Sequence, residues 1–318
     1  MGTAKVFSLV KEFDRSLIGA ENTVIDFITE AYSSSFDQLE LEIRRRFPQM
    51  EAQGSLVAAQ QNSIILLGQL KTLLQLLSPD ELSKITTRLE KLYTEVGVET
   101  AALNRLMVQT IEPGATVLAP RIVPEAVRYA AERSVTYFQK YGQEFAHGVG
   151  ITVAQGLIQG WGVDKTVREM RKVVAIPINR ARAVVRTESL QASDHANRAA
   201  MEASGIDYVC RCATEDRRTC VWCASRAGEI TRRDQTVASL HVSCRCCLIP
   251  VRPSWVKLGL FDLDWVRKHA ATLHKDLAEP LNQRQAPFEK SNDTPRVPVL
   301  WTPTRGFVDP KFKQLVTN

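Results

Sequence analysis

The chain has 318 residues, of which 44% are hydrophobic and 24% are charged. This length exceeds the size at which one hydrophobic core usually keeps growing, so two or three structural units are expected. No apolar stretch approaches the roughly 20 residues that a membrane-spanning helix needs. The first residues also lack the apolar core and cleavage site of a signal peptide. These features argue against a membrane or secreted protein and favour one that starts in the cytoplasm.

The formal net charge of +6 is unevenly placed along the chain. Residues 161–252 contain 16 Lys and Arg against 10 Asp and Glu, and the remaining residues balance at 25 against 25. Such a concentration favours an anionic partner, of which nucleic acid is the commonest kind. A solvated basic face explains the same charge equally well.

Residues 1–112 carry apolar side chains at helical spacing. Steps of three and four residues recur over 10–31, 66–77 and 82–96, which places these side chains along one face of each helix. The segment Ser78–Glu81 fits a capping box, and its proline stands at the first helical position. This part of the chain is therefore predicted to form a domain of three long helices.

Residues 113–124 contain three prolines, and each proline disfavours helix in the residue before it. This segment is therefore the best candidate for a domain boundary. Helical spacing resumes over 127–145. Two further helices are predicted beyond it, one at about 164–174 and one that starts after Pro177 and ends before Gly205.

After Gly205 the sequence changes to short β-favouring runs at 208–212, 229–231 and 246–251. A C-terminal helix is predicted within 253–279. The last segment, 280–318, holds six of the fourteen prolines and is expected to be an extended tail, ordered only against a partner or the body of the protein. The predicted fold class is mainly α, with long N-terminal helices followed by a helical plus small α+β module.

All seven cysteines lie between residues 210 and 247. Cys220 and Cys223 have the C-x-x-C spacing with which one tight turn binds one ion, and a second group of metal-binding residues follows after 17 residues. Thiolate and imidazole ligands in a closed tetrahedral shell favour zinc, so a structural zinc knuckle is predicted. Cys220, Cys223 and Cys244 are the expected ligands, and the fourth is either His241 or Cys246.

The cysteines are also compatible with a disulfide framework, a redox C-x-x-C pair, or ordinary buried thiols. Disulfides suit oxidising compartments, and no export signal is present. A thioredoxin-like pair needs a strand that enters a helix, whereas charged, turn-like sequence surrounds this one. Zinc deaminases need H-x-E ahead of the pair, but Ala196 and Asn197 follow His195. No catalytic residue is predicted, and the cysteines outside the knuckle spacing are expected to be buried or spare thiols: Cys210, Cys212 and Cys247.

Several motifs follow one another in a recognisable order. They are a helix with Val185-Arg186-Thr187-Glu188, the turn Asp216-Arg-Arg-Thr-Cys-Val-Trp-Cys223, then Gly228, and the close His241-Val-Ser-Cys-Arg-Cys246. With these motifs, residues from about 130 to 252 resemble the phage head morphogenesis family typified by the F protein of phage Mu and the minor head protein of phage SPP1. The chain departs from the family at Val185, which replaces an alanine, and at Val242, which replaces a proline. Neither departure affects a candidate cysteine ligand. The structural signature of the resemblance comprises Arg186, Thr187, Glu188 and Asp216.

The resemblance implies a minor capsid protein in the interior of the virion, near the portal, which passes through the host cytoplasm during assembly. Its implied partners are the portal protein, other head proteins and, non-specifically, phage DNA. Residues 1–112 would then be a helical docking domain, and 125–252 the head-morphogenesis-like module. Basic side chains around the knuckle would contact DNA phosphates: Arg211, Arg217, Arg218, Arg232, Arg233 and Arg245.

Two rival functions remain. One is an enzyme, either a zinc-dependent nucleic-acid-modifying protein or a transferase effector, because an arginine followed by Thr-Glu also occurs in ADP-ribosyltransferases. The expected role of Arg186 and Glu188 is structural instead, namely to hold the metal module against the helical region through ion pairs or through hydrogen bonds to the loop backbone. The other rival is a free DNA-binding regulator, which would show tight sequence-specific binding.

Overall fold

The computed structural model describes residues 2–51, 56–70, 73, 77–117, 124–213, 219, 221–270 and 309–317. The chain divides into two compact units. Unit 1 comprises Met1–Ile18, Thr94–Val123 and Ser189–Asn318, and unit 2 comprises Gly19–Tyr93 and Pro124–Glu188. Each unit is assembled from separate stretches of sequence, whereas the sequence predicts consecutive domains. The difference arises because the unit boundaries fall inside three long helices.

The chain is mainly helical, as predicted. Its long helices are α1 (Gly2–Glu51), α2 (Leu56–Gln69), α3 (Pro79–Ile111), α4 (Pro124–Ile158) and α5 (Gly162–Ala203). Among the described residues, none of the helices is both long enough and apolar enough to cross a membrane.

The capping box at the start of α3 is confirmed. The backbone N–H of Ser78 donates to Oε2 of Glu81 at 2.6 Å, and the N–H of Glu81 donates to Oγ of Ser78 at 3.2 Å. Two backbone donors that the helix itself cannot bind are thereby satisfied.

One helix replaces the two that the sequence predicts around Pro177. This proline lies inside α5, where it removes one backbone hydrogen bond. Buried side chains on both sides of it, Met170 and Ala181 among them, hold the helix in place, so packing outweighs the local preference. The predicted end of α5 is confirmed: Gly205 has a φ of 63°, and the N–H of Ile206 donates to the carbonyl of Met201 at 2.9 Å, which is the Schellman pattern.

In unit 2 aromatic side chains fill the space between helices. Tyr32 of α1 is fully buried, and its hydroxyl donates to the carbonyl of Phe138 in α4. Tyr93 and Ser134 share a hydrogen bond of 2.9 Å. A Cβ added at Gly156 would lie 2.2 Å from Oγ1 of Thr166, so α4 and α5 approach closely at this point.

Unit 1 contains a small antiparallel sheet in the order β2-β1-β3. Strand β1 is Tyr208–Cys212, β2 is Ile230–Arg232 and β3 is Cys247–Val251. The register pairs Cys210 with Ile230 on one side and Ile249 on the other. These strands match the predicted runs to within one residue. The short helices are α6 (Val221–Ser225), α7 (Pro253–Lys257), α8 (263–270) and α9 (Pro310–Thr317).

Near its end the chain is helical where the sequence predicts an extended tail, but this helix lies against the body of the protein, as the prediction allows. Residues 310–317 form α9, and its Phe312 is completely buried in the core of unit 1. The aromatic anchor explains the helix, because its burial stabilises an element too short to persist alone. Residues 271–308, which include most of the predicted tail, lie outside the described residues.

Candidate metal centre

Three cysteines from two separate parts of unit 1 converge on one point. Cys223 lies on α6, and Cys244 and Cys246 lie in the loop before β3. Their sulfur atoms all lie within 4.8 Å of one another, and all three residues are buried. The Sγ atoms of Cys223 and Cys244 are 3.5 Å apart. The structure therefore brings together three of the five predicted metal ligands.

The spacing of the sulfurs suits a four-coordinate metal ion. In a tetrahedral site with zinc–sulfur bonds of about 2.3 Å, two ligand sulfurs lie about 3.8 Å apart. The observed separation of Cys223 and Cys244 is close to this value. A disulfide would require about 2.0 Å, and none of the six described cysteines forms one. This donor set fits zinc.

Electrostatics also favour a cation between these sulfurs. Hydrogen bonds with Cys223 and Cys246 hold the pKa of Cys244 far below its usual range, against the opposing effect of burial. For Cys246, the bond with Cys223 acts to lower the pKa, but the bond with Cys244 and burial outweigh it and raise the pKa to about 12. Without a cation the cluster therefore favours one thiolate over several, because adjacent buried anions repel one another. A divalent ion would stabilise all of the thiolates.

His241 lies at the edge of this cluster. Its Nε2 atom is 3.1 Å from Sγ of Cys223, and its Nδ1 atom is 2.8 Å from the carbonyl oxygen of Val242. A backbone carbonyl on one ring nitrogen directs the other nitrogen toward a ligand or a thiolate. The turn that carries His241 includes Ser243 with a φ of 58°, an uncommon conformation for a residue other than glycine. The imidazole is exposed, unlike the three cysteines.

Arg211 supports the loop that leads to the cluster. It was predicted to contact DNA, but only 2% of it is exposed, so that prediction is corrected. Its guanidinium donates to the carbonyls of Ala238 and Val237 at 2.8 and 2.7 Å, and to Oγ1 of Thr236 at 2.7 Å. Burial of an arginine requires such partners, and here they hold the loop before His241. The position of Arg211 within a short β-favouring run, rather than in a charged turn, was the available signal in the sequence.

The other three described cysteines are not part of the cluster. Cys210 and Cys212 are buried in β1, where burial raises the pKa of Cys210 to about 12. Cys247 begins β3, and burial likewise raises its pKa to about 12. A thiol with such a pKa is a poor nucleophile at neutral pH. Cys220, a predicted ligand, lies outside the described residues.

Three of the other predicted DNA contacts, those that the structure describes, have acidic neighbours. Arg232 pairs with Asp234 at 2.8 Å, Arg233 pairs with Glu202 at 3.0 Å, and Arg245 lies 3.9 Å from Asp14. Arg232 is the most exposed of these three, with 38% of its side chain accessible. Arg217 and Arg218 lie outside the described residues, as does Asp216 of the signature.

Glu188 of the signature is buried and forms an ion pair with Arg133, within unit 2. The hydrogen bond with Glu188 raises the pKa of Arg133. Thr187 donates to the carbonyl of Ala183 at 2.7 Å, and Arg186 is half-buried. The partner of Glu188 therefore lies on α4, not in the metal module as the sequence suggested.

Comparison with known proteins agrees with the resemblance seen in the sequence. No curated protein and no solved structure matches the chain with significance. A family model described as Phage Mu protein F like protein matches residues 147–249. This range contains the second part of α4, all of α5, strands β1 and β2, and the cysteine cluster. Residues 147–249 are therefore similar to phage Mu F-like proteins.

Proposed function

We propose that the chain is a minor head protein of a phage in which a structural zinc ion stabilises the cysteine-rich part of unit 1. The observation that carries this proposal is the convergence of Cys223, Cys244 and Cys246 inside the residues that match the Mu F-like family. The three cysteines share a small buried core with Leu190, Ala213 and Ala224. Metal binding supplies free energy that so small a core provides only in part.

The three clustered cysteines would hold the ion, with a fourth ligand from Cys220 or His241. Cys220 is three residues before Cys223, the spacing with which one turn supplies two thiolates. Bound there, the ion provides a cross-link between α6 and the loop before β3. A closed shell of four protein ligands leaves no position for substrate, which favours a structural role over a catalytic one.

Metal content tests this part of the proposal. The purified chain should contain about one equivalent of zinc, and Cys244→Ser should lose it. Cys247→Ser is a matched control, because Cys247 neighbours the cluster in sequence but begins β3, and it should retain the metal. Absence of zinc from chain purified without chelator, with its fold intact by circular dichroism, would exclude the structural ion.

Non-specific contact with packaged DNA is proposed for the basic side chains around the knuckle. Arg232 supports it best among those described, because it is partly exposed despite its pairing with Asp234. Arg233, Arg245, Arg217 and Arg218 complete the proposed surface. Binding to a duplex of arbitrary sequence should weaken steeply with salt, and Arg232→Gln should lower the salt-dependence slope by about one. Arg128→Gln, an exposed position on α4, makes the same change in charge and should leave the slope unaltered.

Docking on other head proteins, the portal protein included, is proposed for the N-terminal helices. In unit 2, α2 exposes Val57, Ile64 and Ile65, with 71% of Ile64 accessible. Exposed apolar side chains that are adjacent favour a protein partner. Ile64→Asp should weaken capture of the portal protein at least tenfold. Leu258→Asp introduces the same charge at an equally exposed residue outside the docking domain and should not.

The proposed location is the interior of the head, with the host cytoplasm as the place of assembly. Mass spectrometry should find the chain in purified virions, where it should resist added protease until the particles are opened. Degradation in intact virions would contradict an interior location.

A non-catalytic role is part of the proposal, and the enzyme alternative can be tested through two residues. Glu188 is buried against Arg133, as a structural carboxylate would be. If Glu188→Gln or His241→Ala abolished a measurable turnover of nucleic acid or a transferase substrate while the fold stayed intact, an enzymatic function would replace the structural one.

A further inference from the structure

The last described residues of the chain, 309–317, form a small element that we name the C-terminal latch. Its anchor is Phe312, which is completely buried. The rings of Phe312 and Tyr208 meet edge to face with their centroids 5.0 Å apart. Val316, one turn further along α9, also packs against the core of unit 1. Phe312 is thus the fully buried side chain through which the latch enters the core of unit 1.

Backbone hydrogen bonds complete the docking of the latch. The N–H of Asp309 donates to the carbonyl of Ile230 in β2 at 2.9 Å. Its carboxylate Oδ1 accepts from the N–H groups of Lys311 and Phe312 at 2.8 and 3.2 Å. Asp309 therefore caps the helix and ties it to the sheet. The latch carries its own cap, anchor and strand contact within nine residues.

The chain that leads to the latch is much longer than docking requires. Ala270, the last described residue before it, packs beside Gly228, where an added Cβ would lie 3.4 Å from that of Ala270. Asp309 binds Ile230, two residues from Gly228. Both ends therefore meet the same short stretch of chain, yet 38 residues, 271–308, connect them. A chain of that length can reach up to roughly 125 Å when extended.

We propose that the C-terminal latch is exchangeable: the latch of one copy occupies the same groove, beside Tyr208 and β2, on a second copy of the chain. Every contact of the latch would be identical in both arrangements, so only the effective concentration of the two grooves decides between them. In dilute solution the groove of the same copy is favoured. Where copies are crowded together, the surplus length of the connection makes the neighbouring groove accessible. This inference does not depend on zinc.

Sedimentation of the full chain from micromolar to millimolar concentration tests exchange. The full chain should form two-chain species as its concentration rises. A chain that ends at residue 308 keeps the groove but lacks the latch, and it should stay monomeric over the same range of concentration. Phe312→Ala removes the anchor and should also stay monomeric.

A mixing experiment gives an independent answer if Phe312→Ala fails to fold. The chain that ends at residue 308 leaves its groove open, so a trace of the full chain should bind it when the truncated chain is in millimolar excess, although each alone is monomeric under those conditions. A full chain that remains monomeric throughout, with no mixed complex, would overturn the proposal. Equal association of the chain that ends at residue 308, measured alone, would also overturn it, because that association could not pass through the latch.

Discussion

The side-chain amide of Asn104 donates to Oδ1 of Asn197 at 2.8 Å, and both residues are buried. Nδ2 of Asn197 in turn donates to the carbonyl oxygen of Leu248 at 2.7 Å. One amide therefore connects α3, α5 and β3 inside unit 1. Because the site is buried, each of these polar groups depends on its partner and not on water.

Replacement of Asn197 should therefore lower the free energy of unfolding. Asn197→Ala leaves a buried donor on Asn104 and removes a partner of Leu248, at a cost of about 1–3 kcal/mol for each group left unsatisfied. We expect urea denaturation to show a loss of about 2–4 kcal/mol in the free energy of unfolding. His195→Ala, at an exposed position of α5, should change it by less than about 0.5 kcal/mol. Equal losses in Asn197→Ala and His195→Ala would show that the hydrogen bonds of Asn197 contribute little to the free energy of unfolding.

Gly156 permits the close approach of α4 and α5 in unit 2. An added Cβ would lie 2.2 Å from Oγ1 of Thr166, a fully buried side chain whose hydroxyl donates to the carbonyl of Gly162. Gly156→Ala should therefore lower the free energy of unfolding by about 1–3 kcal/mol through overpacking. Thr166→Ala removes the nearest atoms, so the double variant should recover part of the loss.

The same helix provides a control for Gly156. A Cβ added at Gly142 meets nothing within 4 Å. Gly142→Ala should stabilise the chain by about 0.5–1 kcal/mol, because alanine favours helix more than glycine does. If both alanine variants were stabilising, the helices would have to separate more easily than the described contacts indicate.

The sequence predicts local structure in this chain better than it predicts assembly. Signals that act within a few residues, such as the Ser78 capping box and the Gly205 helix end, are confirmed by the hydrogen bonds at each site. Pro177 is the exception, since packing on either side of it keeps α5 continuous. The division into units could not be predicted, because apolar spacing reveals a buried face but not which distant helix covers it.

The candidate metal site was likewise predictable where local spacing decides it and not where distant residues meet. The C-x-x-C spacing indicated a metal site, and Cys244 and Cys246 do lie with Cys223. Arg211 was wrongly predicted to lie at the surface because it is charged. The strand that contains it is buried throughout. A charged residue is buried when enough acceptors surround it. Here they come from residues 236–238, which no local pattern in the sequence links to Arg211.

Asp194 should make stability depend on pH. Burial raises the pKa of this carboxyl above its usual value of 3.8, although Arg198 and the backbone of Ala238 oppose the shift. Its protonated form therefore stabilises the folded state, and this contribution is complete below the unfolded pKa and lost as pH rises through the folded pKa. Asp194→Asn mimics the protonated form, so its stability relative to the unmodified chain should increase from pH 3 to pH 7.

Asp234 should have the opposite effect on the pH dependence of stability. A hydrogen bond from Arg232 lowers the pKa of its carboxyl, so its contribution is present above the unfolded pKa and lost as pH falls through the folded pKa. Asp234→Asn should therefore lose relative stability as pH rises over the same interval. Thermal unfolding at several pH values would compare the two variants, and parallel profiles would contradict the assigned causes.

Limited proteolysis should cleave within residues 271–308 and leave the C-terminal latch bound. The sequence predicts an extended, proline-rich segment before residue 309, and such segments are the usual sites of cleavage. After brief digestion, the fragment that contains Phe312 should still co-purify with the body of the protein, because its anchor and the bond from Asp309 to Ile230 remain. Phe312→Ala should release it. In assembled particles, a partner that covers the segment should slow the cleavage itself.

The identity of the fourth metal ligand can be decided by two substitutions. Within the described residues, the group of potential ligands that lie within 4.8 Å of one another comprises Cys223, Cys244 and Cys246, without His241. We therefore expect Cys246→Ser to lose zinc, and His241→Ala to retain it with a roughly 10- to 100-fold loss of affinity, the effect expected of a residue that only orients a ligand.

Cobalt substitution distinguishes the two ligand sets directly. With Cys220 as the fourth ligand, four thiolates bind the ion, and the intensity of the sulfur-to-cobalt charge-transfer band should be the same in the unmodified chain and in His241→Ala. Cys220→Ser should then reduce that intensity by about one quarter if binding survives, since one of four such ligands is lost. An unchanged intensity in Cys220→Ser, together with loss of the ion in His241→Ala, would instead place the imidazole in the coordination shell beside the three clustered cysteines. The 3.1 Å separation of His241 Nε2 and Cys223 Sγ would then be the contact between two ligands of one ion.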